Sequence, residues 1–247
     1  MKVCKNCGAK VNDIYCGHCG ERAETERITF HYIWHGLVHF FTHAEKGFLF
    51  TSWQMLVAPG KTVKNFIEGK RRNCQSPISY YLIWNAVYIL LLYIVGRSFG
   101  MNKVVNFTDY FGPSEKTQYA LSHLNIVLTA LLPFQALYVY LILVQGIYNY
   151  FESLVAVFFA IGTVLLLQFA FVFFAIPVSV LSGDSIDIRL SDILKVVYIG
   201  WFMIDFVKQL PVKHKFIRAM TVMLLAFGTF TAWRLYVFPT IAEWFFS

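Results

Sequence analysis

Long apolar blocks alternate with shorter polar segments along the last two thirds of the chain. An apolar block of about 18 residues or more is long enough to cross the hydrocarbon core of a membrane as a helix. We therefore predict five membrane-spanning helices, with approximate bounds 78–95, 125–147, 154–180, 193–207 and 219–238. The fourth block has only about 15 residues, so a re-entrant or interfacial segment is the alternative for it.

A segment with a different pattern precedes these blocks, over residues 28–43. At 100° per residue, four histidines spaced four residues apart form a stripe on one face of a helix, and bulky apolar residues occupy the opposite face. The histidines are His31, His35, His39 and His43. The segment is too short and too polar on one side to cross a membrane, so it predicts an amphipathic helix at the membrane interface.

Two further short helices are predicted between this segment and the first span. Thr51 or Ser52 is the expected cap of the first, and the second is expected over about 61–68. Ser76 and Pro77 then predict the N-cap and the first residue of the first spanning helix.

The amino-terminal segment contains two C-x-x-C pairs, each followed directly by a glycine. Two such turns present four thiolates, the ligand set of closed structural zinc sites. The cysteines are Cys4, Cys7, Cys16 and Cys19. Gly8 and Gly20 are expected to adopt positive φ, which glycine does without strain. We predict a structural Zn²⁺, with His18 as an exposed residue and no open position for catalysis. So small a unit should unfold without metal.

The overall composition supports a membrane protein. Of the 247 residues, 57% are hydrophobic and 14% are charged, and the mean hydropathy is +0.56; soluble domains carry about 25% charged residues. The formal net charge is +7. Because the basic residues flank apolar blocks, they indicate membrane orientation, and we predict no nucleic-acid partner. The first 27 residues are polar, so the first span is expected to act as its own insertion signal.

Lysine and arginine are unequally distributed among the segments that flank the spans. Residues 1–77 hold eleven and residues 208–218 hold four, whereas residues 96–124 hold three and residues 181–195 hold two. Basic segments tend to stay in the cytoplasm. The amino terminus and the loop around His214 are therefore predicted to be cytoplasmic, and five spans place the carboxyl terminus outside. A four-thiolate site also suits a reducing compartment, so we predict a multi-pass protein of the cytoplasmic (inner) membrane.

Several short motifs occupy the region before and at the start of the first span. They are Lys46-Gly47-Phe48 with Thr51, Pro59-Gly60-Lys61, Gly69-Lys70-Arg71 and Pro77. With the paired-cysteine ribbon and Asn149-Tyr150-Phe151-Glu152, they make the chain resemble a family of bacterial membrane proteins of unknown function. Cys74 departs from that family's pattern, which has an aromatic residue near this position. The resemblance is recognisable over residues 1 to about 95. It implies a cytoplasmic-membrane location and a ribbon-plus-bundle layout, without an established chemistry.

Three groups of candidate site residues are predicted to lie on the cytoplasmic side. The histidine stripe with Glu45 is a candidate second metal site or a pH-sensing group, and a purely interfacial helix is its alternative. A basic cluster, defined as Lys70, Arg71 and Arg72, is a candidate contact for lipid phosphates, or a topological anchor alone. Asn149 and Glu152, in the turn between the second and third spans, form the third candidate.

A few polar residues fall inside the predicted spans. Burying a polar side chain in the membrane costs free energy, so each of them indicates a structural or functional role. Asn85, Gln135 and Gln168 are expected to hydrogen-bond between helices. Asp205 and Arg234 lie near the ends of their spans, on opposite sides of the membrane.

The predicted fold class is an all-α polytopic membrane protein in three parts: a zinc ribbon over 1–22, interfacial amphipathic helices with the basic cluster over 23–75, and a transmembrane bundle over 76–247. One hypothesis is a non-enzymatic transport or channel subunit, or a membrane-complex scaffold, whose ribbon docks a protein partner or a second copy among membrane lipids. The alternative is a metal-dependent lipid-modifying or lipid-binding enzyme that uses the histidine stripe and the basic cluster. No catalytic residue is assigned, and no P-loop, dinucleotide fingerprint or serine elbow is present.

Overall fold

The structure is a computed structural model, and it describes residues 2–22, 27–34, 47–106, 129–187 and 189–233. The amino-terminal ribbon contains a short antiparallel pair, strand β1 at Lys2–Val3 with strand β2 at Lys10–Val11. A single bridge between Tyr15 and Arg22 closes its second half. Its small core is separate from that of the helices and consists of Cys4, Val11, Cys16 and Cys19, with Ala9 packed against it.

Three short helical segments of the described chain precede the first long helix. Residues 30–34 are helical, helix α1 is Phe48–Val57, and helix α2 is Pro59–Ile67. Thr51 and Ser52 lie inside α1 and are buried, so the prediction that one of them caps this helix was wrong. The helix begins earlier because Gly47, at φ 155°, turns the chain against the backbone of Asn73.

Long helices make up most of the remaining described chain. Helix α3 is Pro77–Ser98, α4 is Met101–Val104, α5 is Thr129–Leu143, α6 is Tyr150–Ser182, α7 is Arg189–Lys208 and α8 is Lys215–Ala232. The last five residues of α5, Val139–Leu143, form a π-helical turn. Ser76 and Pro77 are the N-cap and first residue of α3, as predicted.

Three of the described helices, α3, α6 and α8, are long and apolar enough to cross a membrane. The described part of α5 has 15 residues, and the first residues predicted for its span lie outside the described ranges. Helix α7 is 20 residues long, but charged residues stand near both of its ends. The described residues therefore provide three candidate spans at the predicted positions.

The direction of the long helices alternates along the chain. Strand β3, Val105–Asn106, follows α3 and α4 and pairs in parallel with β4, Ile186–Asp187, which follows α6. Helices α3 and α6 therefore end on the same side, called here the far end. At the opposite, near end, α7 brings Phe206 onto the Tyr148 ring, with centroids 6.5 Å apart. Arg218 Nη1 of α8 donates there to Gln145 Oε1, just after α5, at 3.3 Å.

The core of the bundle is the packing of α3 along α6. Gly162 makes the close approach possible, because a Cβ there would lie 2.7 Å from the Tyr80 ring. The Tyr80 hydroxyl is 3.0 Å from Thr163 Oγ1. At 33 residues α6 is about 50 Å long, so it exceeds a bilayer core of about 30 Å. Its first turns pack against α2, with the Phe66 and Phe159 rings edge to face at 5.3 Å.

Candidate metal centre

The four predicted thiols come together in the ribbon. Their sulfur atoms all lie within 4.8 Å of one another. The Cys4 and Cys19 sulfurs are 3.5 Å apart, and those of Cys7 and Cys16 are 3.6 Å apart. A disulfide would place sulfurs about 2.05 Å apart, whereas tetrahedral zinc with Zn–S bonds of about 2.3 Å separates them by about 3.8 Å. The donor set therefore fits a four-thiolate metal ion.

Backbone geometry holds each C-x-x-C turn in shape. The Gly8 N–H donates to the Cys4 carbonyl at 2.9 Å, and the Gly20 N–H donates to the Cys16 carbonyl at 2.6 Å. Gly8 and Gly20 have φ of 77° and 71°. The prediction of positive φ at both glycines is confirmed, and a side chain at either position would be strained.

Local hydrogen bonds favour thiolates in the second turn. The backbone N–H of Cys19 lowers the pKa of the Cys16 thiol, and that of His18 adds to the effect. The Asn6 side chain, followed by the Glu21 backbone N–H, lowers the pKa of Cys19 to about 6. Metals bind the deprotonated sulfur, so these donors prepare Cys16 and Cys19 for a cation. Against the lowering effect of the Ala9 backbone N–H, burial and the neighbouring thiols raise the pKa of Cys7 to about 12. His18 is exposed, and the cluster consists of the four cysteines.

The ribbon is joined to the membrane domain through one buried carboxylate. Glu21, two residues after the last cysteine, is 7% exposed. Its Oε2 accepts the backbone N–H of Arg72 at 2.8 Å and that of Arg71 at 3.3 Å. Sequence reasoning did not select Glu21, because a glutamate in a polar linker carries no signal of a distant backbone partner.

All three residues of the basic cluster have contacts within the chain. The Arg71 guanidinium lies over the rings of Tyr32 and Phe66, at 4.7 and 5.3 Å from their centroids. Its Nε donates to the Phe66 carbonyl at 3.0 Å. Lys70 Nζ is 3.4 Å from Asn65 Oδ1. Arg72 is exposed, and its guanidinium lies beside Gly20 of the ribbon.

Asn149 and Glu152 form the capping box of α6. Asn149 Oδ1 accepts the Glu152 N–H at 2.8 Å, and Glu152 Oε2 accepts the Asn149 N–H at 2.7 Å. Both also bind the segment that leaves the ribbon: Arg27 Nε donates to Glu152 Oε1 at 3.0 Å, and Asn149 Nδ2 donates to the Ile28 carbonyl at 2.9 Å. The N-x-x-E spacing is a capping-box signal, which could have predicted this role.

The remaining motif residues hold α1 and α2 against the bundle. Asp205 Oδ2 of α7 accepts the Gly60 N–H at 2.8 Å and the Lys61 N–H at 3.3 Å, and so caps α2. A Cβ on Gly60 would lie 2.2 Å from the Phe206 nitrogen, so only glycine fits. Thr51 Oγ1 accepts the Gln75 N–H at 2.8 Å.

Among the described residues, the metal-ligand cluster holds the four cysteines and no histidine. His31 is exposed, whereas His35, His39, His43 and Glu45 lie outside the described residues, as does Arg234. Burial and then the Glu21 carboxylate raise the pKa of the Cys74 thiol to about 11, so it is protonated at neutral pH. Asn85 Oδ1 is buried without a hydrogen-bond partner in the described parts of the chain.

A comparison with known families matches the segment that contains the basic cluster. The model of a family described as "Protein of unknown function (DUF3667)" matches residues 45–89. That segment holds α1, α2, the basic cluster and the first half of α3. No curated protein and no solved structure matches the chain. The match supports a resemblance to an uncharacterised family and assigns no activity.

Proposed function

We propose that this protein is a non-enzymatic component of the cytoplasmic membrane, a complex scaffold or a transport or channel subunit, whose zinc-loaded ribbon is a docking module for a protein partner. The observation that supports it best is that the carboxylates at the near end are engaged in structural hydrogen bonds. Glu21, Glu152 and Asp205 each accept hydrogen bonds that hold one segment of the chain to another. Their carboxylates are structural hydrogen-bond acceptors that link separate elements of the fold.

The ribbon surface also favours docking. Among its described residues, Val3, Ile14 and Tyr15 are 61–68% exposed although they are large and apolar. A unit with a core of four main residues gains nothing in stability from such side chains in water. Exposed apolar side chains of this kind suit a protein surface that covers them.

Zinc is the ion we propose for the ribbon. Four cysteine sulfurs within 4.8 Å of one another suit tetrahedral zinc. Glu21 then couples the metal-stabilised turn to the basic cluster. Elemental analysis of protein purified without chelator should give about one zinc per chain.

We also propose that five helices cross the membrane, with the ribbon in the cytoplasm. The alternating directions of α3, α5, α6, α7 and α8 support this arrangement. The near end carries the ribbon, the basic cluster and the loop at His214, where lysine and arginine concentrate.

The lipid-modifying alternative has weaker support. It needs a nucleophile or an acid–base pair with open access. In the described ranges the near-end carboxylates of Glu152 and Asp205 are engaged in capping helices. Arg71, proposed to hold a lipid phosphate, stacks on two rings instead.

Crosslinking in native membranes tests the docking proposal. A photo-crosslinking residue at Ile14, on the exposed ribbon surface, is expected to capture one protein in defined yield. The crosslinking yield should fall at least tenfold when Tyr15→Glu is introduced into the same chain, because it places a charge on the exposed ribbon surface. Glu68, an exposed position directly after α2, is the matched control and should capture none of that protein. Capture of lipid alone at position 14, or equal capture at 14 and 68, would contradict a ribbon docking module.

A further inference from the structure

Helix α1 has its polar and apolar faces reversed relative to a helix in water. On a 100° helical projection the outward arc of 48–57 holds only apolar residues. Those exposed are Leu49 at 78%, Phe50 at 47%, Trp53 at 64% and Val57 at 51%. The inward side holds the buried residues Thr51, Ser52 and Met55. Hydroxyls thus face protein, and the bulkiest apolar groups face the surroundings.

Contacts place α1 beside α3 and α7, well inside the near ends of both helices. The Phe48 ring lies 5.1 Å from the Trp84 ring, and Trp84 Nε1 donates to Ser52 Oγ at 3.2 Å. Trp84 is seven residues beyond Pro77, or about 10 Å into α3 at 1.5 Å per residue. The Met55 carbonyl accepts the Tyr198 hydroxyl of α7 at 3.2 Å. Tyr198 is ten residues before the end of α7 at Lys208, or about 15 Å along it.

The neighbouring helix marks the polar boundary. Helix α2 follows α1 after a single residue; Lys61 within it and Glu68 directly after it are exposed. Its N-terminus is fixed to α7 by Asp205. The hairpin therefore presents an apolar outward face along α1 and a charged outward face along α2, as expected for a structure that enters the leaflet and returns to its polar surface.

From these contacts we propose that α1 is a re-entrant helix embedded in the near leaflet, and that Leu49, Phe50, Trp53 and Val57 contact phospholipid acyl chains. The Phe48–Trp84 contact and the Trp84–Ser52 hydrogen bond hold the opposite face of α1 against α3. The serine and threonine hydroxyls are satisfied within the protein: Ser52 Oγ donates to the Phe48 carbonyl at 2.9 Å, and Thr51 Oγ1 accepts from Gln75. The arc from Leu49 to Phe50 carries no polar side chain, as hydrocarbon surroundings require; the half-buried Gln54 lies at the edge of this arc.

Spin labels on the full-length, zinc-loaded protein in phosphatidylglycerol-containing nanodiscs test this proposal. Labels at Leu49→Cys and Trp53→Cys should collide at least threefold more with oxygen, which partitions into acyl chains, than with a water-soluble nickel chelate. A label at Glu68→Cys, the matched control at the end of α2, should show the opposite ratio. Unmodified protein gives the background labelling, which the half-buried, protonated Cys74 keeps low.

Two other results would overturn the proposal. Preferential access of the nickel chelate at positions 49 and 53 would place the face in water. Labels shielded from both reagents would place it against protein, either a partner or a second copy. Trp53→Phe offers a conservative second measurement: quenching of the protein's tryptophan fluorescence by brominated acyl chains should decrease in this variant. Unchanged quenching would count against lipid contact.

Discussion

Glu152 shows how much one side chain contributes to the stability of the fold where several segments meet. Its carboxylate is 4% exposed and accepts from Arg27, whose side chain is 63% exposed, and from the Asn149 N–H at the start of α6. Exposed partners in ion pairs contribute little, about 0–1 kcal/mol. Hydrogen bonds that satisfy a helix N-terminus contribute about 1 kcal/mol or more. The hydrogen-bond acceptors of Glu152 should therefore contribute more to stability than its charge does.

Replacing Glu152 separates these two contributions. Glu152→Gln keeps an acceptor for the Asn149 N–H and should lower stability by about 1 kcal/mol or less. Glu152→Ala leaves that N–H and Asn149 without the reciprocal partner and should cost about 2 kcal/mol, or roughly 4–8 °C in melting temperature. Thermal unfolding of the detergent-solubilised protein measures both. Glu68→Ala, which removes only an exposed pair with Lys64 at 3.8 Å, is the control. Equal losses for Gln and Ala would show that charge dominates.

At the scale of elements, α2 is fixed to α7 by a backbone contact that tolerates no side chain. A Cβ on Gly60 would lie 2.2 Å from the Phe206 nitrogen and 2.4 Å from the Asp205 carbonyl carbon. Backbone atoms cannot rotate away as a flexible side chain can, so the two helices would have to separate. Separation would also remove the Asp205 cap from the α2 N-terminus.

Gly60→Ala should therefore destabilise the protein by about 3 kcal/mol or more, at the upper end of overpacking effects. The melting temperature should fall by roughly 6–12 °C. Gly200→Ala is the matched control on α7, because a Cβ there meets nothing within 4 Å. That variant should be neutral or stabilised by about 0.5–1 kcal/mol, since alanine favours the helix. A Gly60→Ala variant as stable as Gly200→Ala would contradict the close helix contact.

The sequence predicted those elements whose signal is local. The apolar runs located α3 and α6, Ser76 and Pro77 located the start of α3, and C-x-x-C-G spacing located the four thiols. It did not predict that Thr51 and Ser52 face inward, because their partners, Gln75 and Trp84, lie 24 and 32 residues away. Nor does a polar linker reveal that Glu21 binds the backbone of Arg71 and Arg72. Such contacts arise only when tertiary packing brings distant segments together.

At the scale of the whole molecule, two separate cores imply two separate responses to metal removal. The ribbon core consists of three cysteines and Val11 with one alanine beside them, whereas a second, much larger cluster joins the helices. A unit with so little apolar burial depends on its metal for folding. A strong chelator should therefore raise hydrogen exchange over residues 2–22 at least 100-fold and leave the amides of the α3–α6 core unchanged.

The Arg71 and Arg72 amides connect these two units. They should lose protection with the ribbon, because both donate to Glu21. In the metal-loaded Glu21→Ala variant the same two amides should exchange about 10–100-fold faster, equivalent to about 1.4–2.8 kcal/mol, while the ribbon stays protected. Ribbon amides that stay protected in the chelator would contradict a metal-dependent fold.

The orientation of the molecule depends on whether α7 crosses the membrane. Its 20 residues span about 30 Å, the thickness of a hydrocarbon core. The charges lie near its ends: Lys195 Nζ binds Asp192 Oδ1 at 2.6 Å toward the far end, and Asp205 and Lys208 lie within the last turn. Residues 196–204 between them carry no charge. Paired or terminal charges of this kind are compatible with a crossing helix.

Reporter insertions on either side of α7 decide between a crossing and a re-entrant helix. Alkaline phosphatase, active only outside the cytoplasm, should be active after Asp184 and inactive after Lys213, whereas a fluorescent protein should give the reverse result. The β3–β4 pair holds the loop at Ile186 beside Val105, after α3, so an insertion after Lys103 should match the one after Asp184. If the reporters at 184 and 213 behaved alike, α7 would not cross, and α8 would then run in the opposite direction relative to the cytoplasm. The basic residues near His214 would in that case lie outside, against the charge distribution that predicts the ribbon and this loop on one side.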